Sequence, residues 1–120
     1  MNILVTGGAG FIGSHTVVAL KSAGFRPVIM DNFSNSDRKV LKGLATILGE
    51  EVTCYDQDCN DAEALRAILQ KEKIEGVIHF AAFKAVGESM SEPLKYYRNN
   101  LLSMIVLLEE MQQAGIRNLI

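Results

Sequence analysis

Four glycines near the start of the chain have the spacing of a turn that binds phosphate. They follow an apolar run at residues 3–5 and satisfy both G-x-G-x-x-G and G-x-x-G-x-x-G, through Gly7, Gly8, Gly10 and Gly13. Where a buried strand turns tightly into a helix, unpaired backbone N–H groups and the positive end of the helix dipole point at one place. A side chain there would hold a phosphate off the backbone or clash with the neighbouring strand. The run therefore predicts a pyrophosphate site.

Asp31 ends the second apolar run and lies 18 positions after Gly13. Dinucleotide-binding domains carry a carboxylate at this place, and it accepts hydrogen bonds from the adenosine ribose hydroxyls. A carboxylate would repel the 2′-phosphate of NADP, so Asp31 favours NAD. Arg38 and Lys39 offer two nearby cations to such a phosphate, although solvated positions in the first turn of a helix are the simpler interpretation. A plain turn or capping role is the alternative for Asp31.

Two later segments fall at the same edge of the predicted sheet. Asp58 and Cys59 follow the third apolar run, where a carboxylate and the next backbone N–H can read the edge of an adenine; a polar loop is the alternative. Residues 80–82, Phe-Ala-Ala, follow the fourth run, and small residues there let the nicotinamide half of a dinucleotide lie against the backbone. Lys84 then offers a cation to a ribose hydroxyl or a phosphate, unless it is simply solvated.

Apolar runs alternate with helix-spaced segments along the chain, which predicts an α/β fold with a doubly wound parallel sheet of the Rossmann type. Strands are predicted at residues 3–5, 27–30, 52–55, 76–80 and 117–120, and helices at 11 to about 24, 40–48, after a capping box at Asn60, and 92–114. Such folds continue past a fifth strand. We therefore expect residues 1–120 to be the N-terminal part of a single NAD-binding domain, truncated at the fifth strand, without the substrate domain; a natural minimal domain is the alternative.

Apolar spacing also predicts which helix faces pack on the sheet. The stripe predicted for the first helix is Ile12, Thr16, Ala19, Leu20 and Ala23. The residues of the long helix predicted to cover the sheet are Leu94, Tyr97, Leu101, Met104, Ile105, Leu108 and Met111, and a further strip is Leu102, Val106 and Leu107. A partner subunit or further chain would cover the second face. Asn99 lies among these apolar positions, and because a buried amide needs partners, it is predicted to reach the cofactor or, alternatively, to cap backbone.

Composition excludes several classes of function. The 120 residues are 48% hydrophobic and 22% charged with a net charge of −2, which gives no reason to expect nucleic acid or an anionic membrane surface. The first residues lack the basic leader and apolar core of a secretion signal, so the cytoplasm is the expected location. Cys54 and Cys59 are expected to be reduced and non-catalytic, and no metal site is expected. His15 and His79 are expected to be packed or hydrogen-bonded.

The longer motifs together resemble one known family, the UDP-galactose (UDP-glucose) 4-epimerases, which are extended short-chain dehydrogenases/reductases. The similarity covers the N-terminal half of that family's NAD-binding domain and rests on T-G-G-A-G-F-I-G-S-H, D-N-F-S-N-S, the D-x-x-D pair around Asp61, H-F-A-A-F-K-A-V-G-E-S and P-L-K-Y-Y-x-N-N. By position, the resemblance implies NAD contacts at Phe11, Ile12, Asp31, Asn32, Phe33, Ser34, Asn35, Ser36, Asp58, Cys59, Phe80, Ala81, Ala82, Phe83, Lys84 and Asn99. Only the backbone of Cys59 should matter, because aliphatic residues are common there in the family.

The resemblance implies an NAD-dependent isomerase acting on UDP-hexoses. Such enzymes oxidise the sugar 4-hydroxyl to a ketone, let the keto sugar rotate in the site and return the hydride to its other face. The tyrosinate of a Tyr-x-x-x-Lys pair is the base. Tyr55, Tyr96 and Tyr97 are followed four positions later by Cys, Asn and Leu. No catalytic residue is therefore predicted within this chain, and the chain alone is expected to be inactive. The resemblance also implies a homodimer formed through the long helix, residues 92–114.

Three other functions compete with this interpretation. The first is another nucleotide-sugar enzyme of the same superfamily, a dehydratase or a uronate epimerase, against which K-A-V-G-E-S argues. The second is a non-catalytic dinucleotide sensor that has lost the catalytic pair. The third is a methyltransferase, which also combines a glycine turn with an acid after the second strand. A P-loop kinase is excluded because no Gly-Lys-Ser/Thr follows the glycines.

Overall fold

A computed structural model describes residues 1–83 and 85–120; Lys84, predicted as a site residue, lies outside the described residues. Strands and helices alternate along the described chain. In order they are β1 (Asn2–Thr6), α1 (Phe11–Ser22), β2 (Arg26–Asp31), α2 (Lys39–Leu48), β3 (Cys54–Asp56), α3 (Ala62–Lys71), β4 (Gly76–His79), α4 (Val86–Ser91), α5 (Pro93–Ala114) and β5 (Asn118–Leu119).

The strands form one parallel sheet in the order β3-β2-β1-β4-β5. The chain winds outward from β1 through β2 to β3 and then returns to the other side of β1. Thr6 is in register with both Met30 and His79, and Asp31 with Asp56. The carboxyl ends of four strands therefore meet at one edge, and the order reverses there between β1 and β4. The predicted Rossmann-type doubly wound fold is confirmed.

Both faces of the sheet are buried, which is why its strands are apolar at successive positions. Leu4 packs in a cluster with residues of α3 and α5, among them Leu65 and Leu107. Val5, the next residue, points to the opposite face and packs against Val17 of α1 and Leu44 of α2. Side chains alternate between the faces of a strand, so β1 anchors both helical layers at once.

One ion pair joins the two helices on the first face. The Arg66 guanidinium of α3 donates to both carboxylate oxygens of Glu110 in α5, at 2.9 and 2.8 Å. Glu110 is only 4% exposed, so this bidentate partner compensates the loss of water around its charge. The hydrogen bonds from Arg66 hold the pKa of Glu110 below its ordinary value. The pair fixes the rotation of α5, which carries the asparagines described below.

Several predicted boundaries were wrong. The third strand comprises Cys54–Asp56 instead of 52–55, and the fourth and fifth strands are shorter than predicted. Asp61, not Asn60, caps α3, because its carboxylate accepts from the N–H of Ala64 at 3.1 Å. The short helix α4 was not predicted at all. The predicted ends of the helices at residues 48 and 114 are confirmed, and each is followed by a glycine in the left-handed conformation, Gly49 and Gly115.

The predicted helix faces were also wrong in part. In α1 the buried residues are Gly13 and Val17, whereas Ile12 is 55% exposed. In α5 the buried residues are Tyr96, Ser103, Leu107, Glu110 and Met111. Most residues predicted to cover the sheet are instead exposed, namely Leu94, Tyr97, Leu101, Ile105 and Leu108. Leu20, Leu107 and Met111 were predicted to pack and do so. The other packed positions include Gly13, Ser103 and Glu110, which a count of apolar residues does not select.

We predict opposite effects for two glycine-to-alanine substitutions. A Cβ on Gly13 would lie 2.3 Å from the carbonyl oxygen of Gly7, whereas a Cβ on Gly43 in α2 would meet nothing within 4 Å. Gly13→Ala should lower the free energy of unfolding by about 1–3 kcal/mol, as overpacking does. Gly43→Ala should raise it by about 0.5–1 kcal/mol, because alanine favours the helix. Urea unfolding followed by circular dichroism measures both, and a stabilised Gly13→Ala variant would contradict the close contact.

Candidate functional site

The turn between β1 and α1 brings three stretches of backbone into contact. Gly7 has a φ of +69°, and a Cβ on it would lie 2.8 Å from the backbone nitrogen of Ala81 after β4. Its own N–H donates to the carbonyl of Met30 at 2.8 Å, which continues the bonding between β1 and β2. Gly10 precedes α1 and provides no side-chain cap, so no side chain of the N-cap residue occupies the N–H groups of the first turn. This arrangement suits an anion at the start of the helix.

Asp31 joins the glycine turn to the loop after β2. One carboxylate oxygen, Oδ2, accepts from the N–H of Ala9 at 3.0 Å. The other, Oδ1, accepts from the N–H of Phe33 at 2.8 Å and from the Ser36 hydroxyl at 3.3 Å. Asp31 therefore has the turn-capping role that was the alternative interpretation, and in addition it reaches the predicted phosphate site.

The loop after β2 is held by short-range polar contacts. Phe33 has a φ of +57°, which is uncommon for a large side chain, and its N–H bond to Asp31 stabilises that conformation. The Arg38 guanidinium stacks over the Phe33 ring, 4.5 Å from its centre, and forms an ion pair with Asp56 of β3. The loop is thus tied to the ends of both β2 and β3.

The segment after β4 is attached to β1 and to α5. Thr6 Oγ1 is hydrogen-bonded to Nδ1 of His79 at 2.6 Å and accepts from the N–H of Ala81 at 3.4 Å. Farther along, the Asn100 side chain accepts from the Phe83 N–H at 2.9 Å and donates to the Phe83 carbonyl at 3.1 Å. These contacts hold residues 79–83 along the carboxyl edge of the sheet.

All these segments line one cleft of about 490 Å³ at that edge. Every predicted NAD contact within the described chain lines it except Phe33, whose ring packs under Arg38, and of the four glycines only Gly8 does not line it. The cleft also includes residues that were not predicted: Met30, Gln57, Ala85, Glu88, Tyr96 and Ser103. Met30 and Gln57 directly precede the predicted Asp31 and Asp58. Their position at the carboxyl ends of β2 and β3 was therefore a signal that could have indicated them. Ala85 and Glu88 lie next to or on α4, which was not predicted. Tyr96 and Ser103 lie on the buried face of α5, which the apolar pattern did not select.

Glu88 and Tyr96 form a polar pair in the cleft wall. The Tyr96 hydroxyl donates to Glu88 at 2.9 Å, and the Tyr96 ring packs against Phe83 with ring centres 5.5 Å apart. Hydrogen bonds from Lys95 and Tyr96 lower the pKa of Glu88, while burial and this hydrogen bond raise the pKa of Tyr96. The pair is therefore a carboxylate and a neutral phenol near pH 7, and it fixes α4 on α5.

Both cysteines are free thiols. Burial is the main cause that raises the pKa of Cys54 to about 11 and that of Cys59 to about 12. A thiol with such a pKa is a poor nucleophile at neutral pH. Cys59 lines the cleft but is 6% exposed, which agrees with a role for its backbone instead of its sulphur.

Residues 1–83 and 85–120 contain neither a cluster of metal ligands nor a membrane-spanning helix. This part of the chain holds no group of three His, Cys, Asp or Glu side chains that could bind a metal ion. It also has no helix that is long and apolar enough to cross a membrane. Both histidines have partners, since His15 contacts the Phe11 carbonyl at 2.8 Å and His79 contacts Thr6.

The parallel sheet, the glycine turn at α1 and the acid that ends β2 define a Rossmann-type nucleotide-binding domain. The family model described as GDP-mannose 4,6 dehydratase matches residues 4–120. The chain belongs to this family.

Curated relatives and solved structures are similar to almost the whole chain. The UDP-glucose 4-epimerase of Neisseria meningitidis serogroup A is 53% identical over 119 residues, which are 99% of this chain and 35% of that protein. The UDP-glucose 4-epimerase of Bacillus subtilis is 48% identical over 100% of this chain and 35% of its own length. This chain thus spans about a third of the length of these relatives, and the expected resemblance to the 4-epimerases is confirmed.

Two crystal structures superpose closely on the chain. The UDP-glucose 4-epimerase of Stenotrophomonas maltophila, with bound NAD and formylated UDP-arabinopyranose, has a TM-score of 0.96 and 44% identity over 99% of this chain and 35% of its own. The Bifidobacterium longum enzyme, in complex with NAD+ and UDP, has a TM-score of 0.96 and 40% identity over 99% of this chain and 36% of its own. These structures are of proteins that hold a dinucleotide.

We predict that both thiols react slowly in the folded protein. With the pKa values of about 11 and 12, on the order of 10⁻³ of Cys54 and 10⁻⁴ of Cys59 is thiolate at pH 8, against about a quarter of an ordinary thiol. Labelling by an aromatic disulphide should be at least about 100-fold slower than in urea and should accelerate as pH rises. Absorbance of the released thiolate measures this, and Cys54→Ser assigns the two rates. Rapid labelling of folded protein at pH 8 would contradict the burial of the thiols.

Proposed function

We propose that this chain supplies the NAD-binding part of an enzyme that epimerises UDP-galactose and UDP-glucose at the sugar 4-position. The single observation that carries the proposal is its 53% identity over 99% of its length to a UDP-glucose 4-epimerase. The cleft supports it, because the predicted contacts of a dinucleotide converge there. The proposed reaction passes through a transient 4-keto sugar.

The shape of the cleft fits NAD. The turn at Gly7 and Gly13 leaves no room for a Cβ, so backbone N–H groups are the surface that a pyrophosphate would meet at the start of α1. Oδ2 of Asp31 accepts one hydrogen bond, from Ala9, and a carboxylate oxygen has a second lone pair for a ribose hydroxyl. Asp58 and Cys59 line the same cleft, and we assign to them the contacts with the adenine.

NAD is favoured over NADP at this site. Asp31 would repel a 2′-phosphate, and Arg38, one of the two cations close to it in sequence, is already paired with Asp56. Both partners of that pair are substantially exposed, so the pair itself contributes little stability. It nevertheless places a second carboxylate beside the first, since Asp31 and Asp56 are in register.

NAD, when bound, supplies the hydride acceptor and donor for the sugar 4-position. Residues of this chain bind and orient that cofactor, and none of its three tyrosines begins a Tyr-x-x-x-Lys pair. The proton transfers of the proposed reaction must therefore use residues outside these 120. This is why the isolated chain is expected to have no epimerase activity.

A dehydratase acting on a nucleotide sugar is the second candidate. The observation that favours it is the description of the matching family model, GDP-mannose 4,6 dehydratase. Both reactions require a bound dinucleotide and a 4-keto sugar, so the cleft does not separate them. The relatives at about 50% identity are named as epimerases, which is why epimerisation is the first proposal. A non-catalytic dinucleotide sensor would keep the cleft and show no turnover.

We further propose that the protein forms a homodimer through α5, residues 92–114. Leu94, Tyr97, Leu101, Ile105 and Leu108 are spaced by three or four positions, and each is 47–79% exposed. Such a stripe on one helix face is the pattern of a helix that packs against another helix. A second copy of α5 would offer the same apolar surface.

The cytoplasm remains the proposed location of the protein. Two free thiols within one domain support it, because reduced cysteines are the rule in that compartment. The proposed substrate is a UDP-hexose, and neither nucleic acid nor a membrane is proposed as a partner.

Asp31→Ala should weaken the binding of NAD+ by about tenfold or more, because the ribose loses its acceptor and the glycine turn loses the bond to Ala9. Calorimetric titration of the protein expressed from its complete reading frame measures the effect. Glu51→Ala removes the same charge from an exposed position outside the cleft and should leave the dissociation constant within about twofold. Equal affinity of Asp31→Ala and the unaltered protein would contradict the assigned role.

The same full-length protein should convert UDP-galactose to UDP-glucose, as followed by the anomeric signals in proton NMR. Residues 1–120 alone should show no conversion. A 6-deoxy-4-keto product from GDP-mannose or UDP-glucose would favour the dehydratase instead, and NAD+ binding without turnover of any of these sugars would favour the sensor.

A further inference from the structure

Three asparagine side chains form a chain of hydrogen bonds that reaches the cleft at its middle member, Asn99. Asn60 lies before α3, and Asn99 and Asn100 are neighbours in α5. Asn60 Nδ2 is 3.5 Å from Oδ1 of Asn99, and Asn99 Nδ2 donates to Oδ1 of Asn100 at 3.1 Å. The chain ends on the backbone of Phe83, which Asn100 contacts with both ends of its amide. We call these three residues the amide relay.

The backbone of Phe83 determines the orientation of every amide in the relay. A backbone N–H can only donate and a carbonyl can only accept, so Oδ1 and Nδ2 of Asn100 cannot exchange places. Oδ1 of Asn100 therefore faces Asn99, and Asn99 must turn its Nδ2 toward it. The Oδ1 of Asn99 is then left to face Asn60, whose Nδ2 is the matching donor.

The buried Oδ1 of Asn60, at the end of the relay away from Phe83, shows the effect of these fixed amide orientations. Oδ1 of Asn60 has no hydrogen-bond partner among residues 1–83 and 85–120. Asn60 does not act as the helix cap, because Asp61 fills that role. Turning the Asn60 amide over would only bring two oxygens together at Asn99. The relay thus fixes Asn60 in an orientation that its own surroundings do not favour.

Asn99 is the member of the relay that lines the cleft. Its Nδ2 carries two hydrogens, and within the described chain one of them is donated to Asn100. Without the relay an asparagine amide can turn over, so it would present either an acceptor or a donor to a ligand. With the relay, Nδ2 of Asn99 stays on the side of Asn100 and Oδ1 of Asn99 stays on the side of Asn60.

We propose that Asn60 and Asn100 are positioning residues, which hold the Asn99 amide so that its second Nδ2 hydrogen is donated to an acceptor oxygen of the dinucleotide. This proposal rests on the proposed function. It assigns to Asn60 and Asn100 a role that acts only through Asn99. The donor suits the oxygens of a pyrophosphate or a ribose, and an acceptor at the same point would repel a phosphate.

Aspartate and alanine substitutions at the two ends of the relay test the proposal, because the expected order of their affinities for NAD+ is opposite at Asn100 and at Asn60. Asp at position 100 keeps the acceptor for the N–H of Phe83 and for Asn99, although it loses the donor to the Phe83 carbonyl. Asn100→Asp should therefore bind NAD+ about threefold more weakly than the unaltered protein, and Asn100→Ala about tenfold more weakly. Asp at position 60 places an oxygen against Oδ1 of Asn99, so Asn60→Asp should bind at least about tenfold more weakly than Asn60→Ala.

The proposal expects Asp to bind NAD+ more tightly than Ala at position 100 and more weakly than Ala at position 60. This reversal distinguishes the relay from an effect of charge or of stability alone. An added negative charge near a pyrophosphate would make Asp worse than Ala at both positions, and that outcome would overturn the proposal. A purely structural role predicts that affinity follows the melting temperature of each variant, so the same order in both quantities would also overturn it. Calorimetric titration with NAD+ and thermal unfolding are measured on the protein from its complete reading frame. If the unaltered protein bound no NAD+, the proposed function would fail before the relay was tested.

The side-chain amide of Asn99 gives a second measurement that does not depend on affinity. Its NH₂ signals in a ¹⁵N spectrum are assigned by their loss in Asn99→Asp. Addition of NAD+ should shift one of the two proton signals in the unaltered protein and in Asn100→Asp, because one hydrogen meets the ligand. In Asn60→Asp this shift should be lost. Unchanged Asn99 signals on saturation of the unaltered protein with NAD+ would contradict the donor role.

Discussion

The site depends on one contact made by backbone alone. The first turn of α1 approaches the turn after β1 so closely that a Cβ on Gly13 would overlap the carbonyl of Gly7, and Gly7 in turn lies against the backbone of Ala81. Three segments that are far apart in sequence therefore meet without side chains between them. The helix can start directly above the carboxyl edge of the sheet only because of this contact. The cleft, the orientation of its backbone donors and the path of the segment after β4 all follow from it.

The most accurate predictions concerned features governed by local chemistry. A glycine turn, an acid at the end of a strand and glycine at a helix end each have a short-range cause, and the structure contains all three, at Gly7, Asp31 and Gly115. Apolar runs buried on both faces indicated the parallel sheet for the same reason. Predicting these features did not require knowing which helices and strands contact one another.

The failures concerned choices made by tertiary packing. The face of α5 that meets the sheet includes Ser103 and Glu110, and Glu110 is acceptable there only because Arg66 of another helix compensates its charge. Likewise Gly13 is buried in α1 because the contact requires no side chain, which an apolar pattern cannot show. The contact of Asn60 with Asn99 was missed because it joins residues 39 positions apart. Such pairings depend on the folded arrangement.

The hydrogen bonds of Asp31 have a consequence for how this site can evolve. The carboxylate that would discriminate between cofactors also holds Ala9, Phe33 and Ser36 in place. A substitution that admitted a 2′-phosphate would release the glycine turn and the loop after β2 at the same time. A change of cofactor preference therefore requires several coordinated substitutions instead of one. Lineages that inherit this arrangement should keep the aspartate even where selection on the cofactor is relaxed.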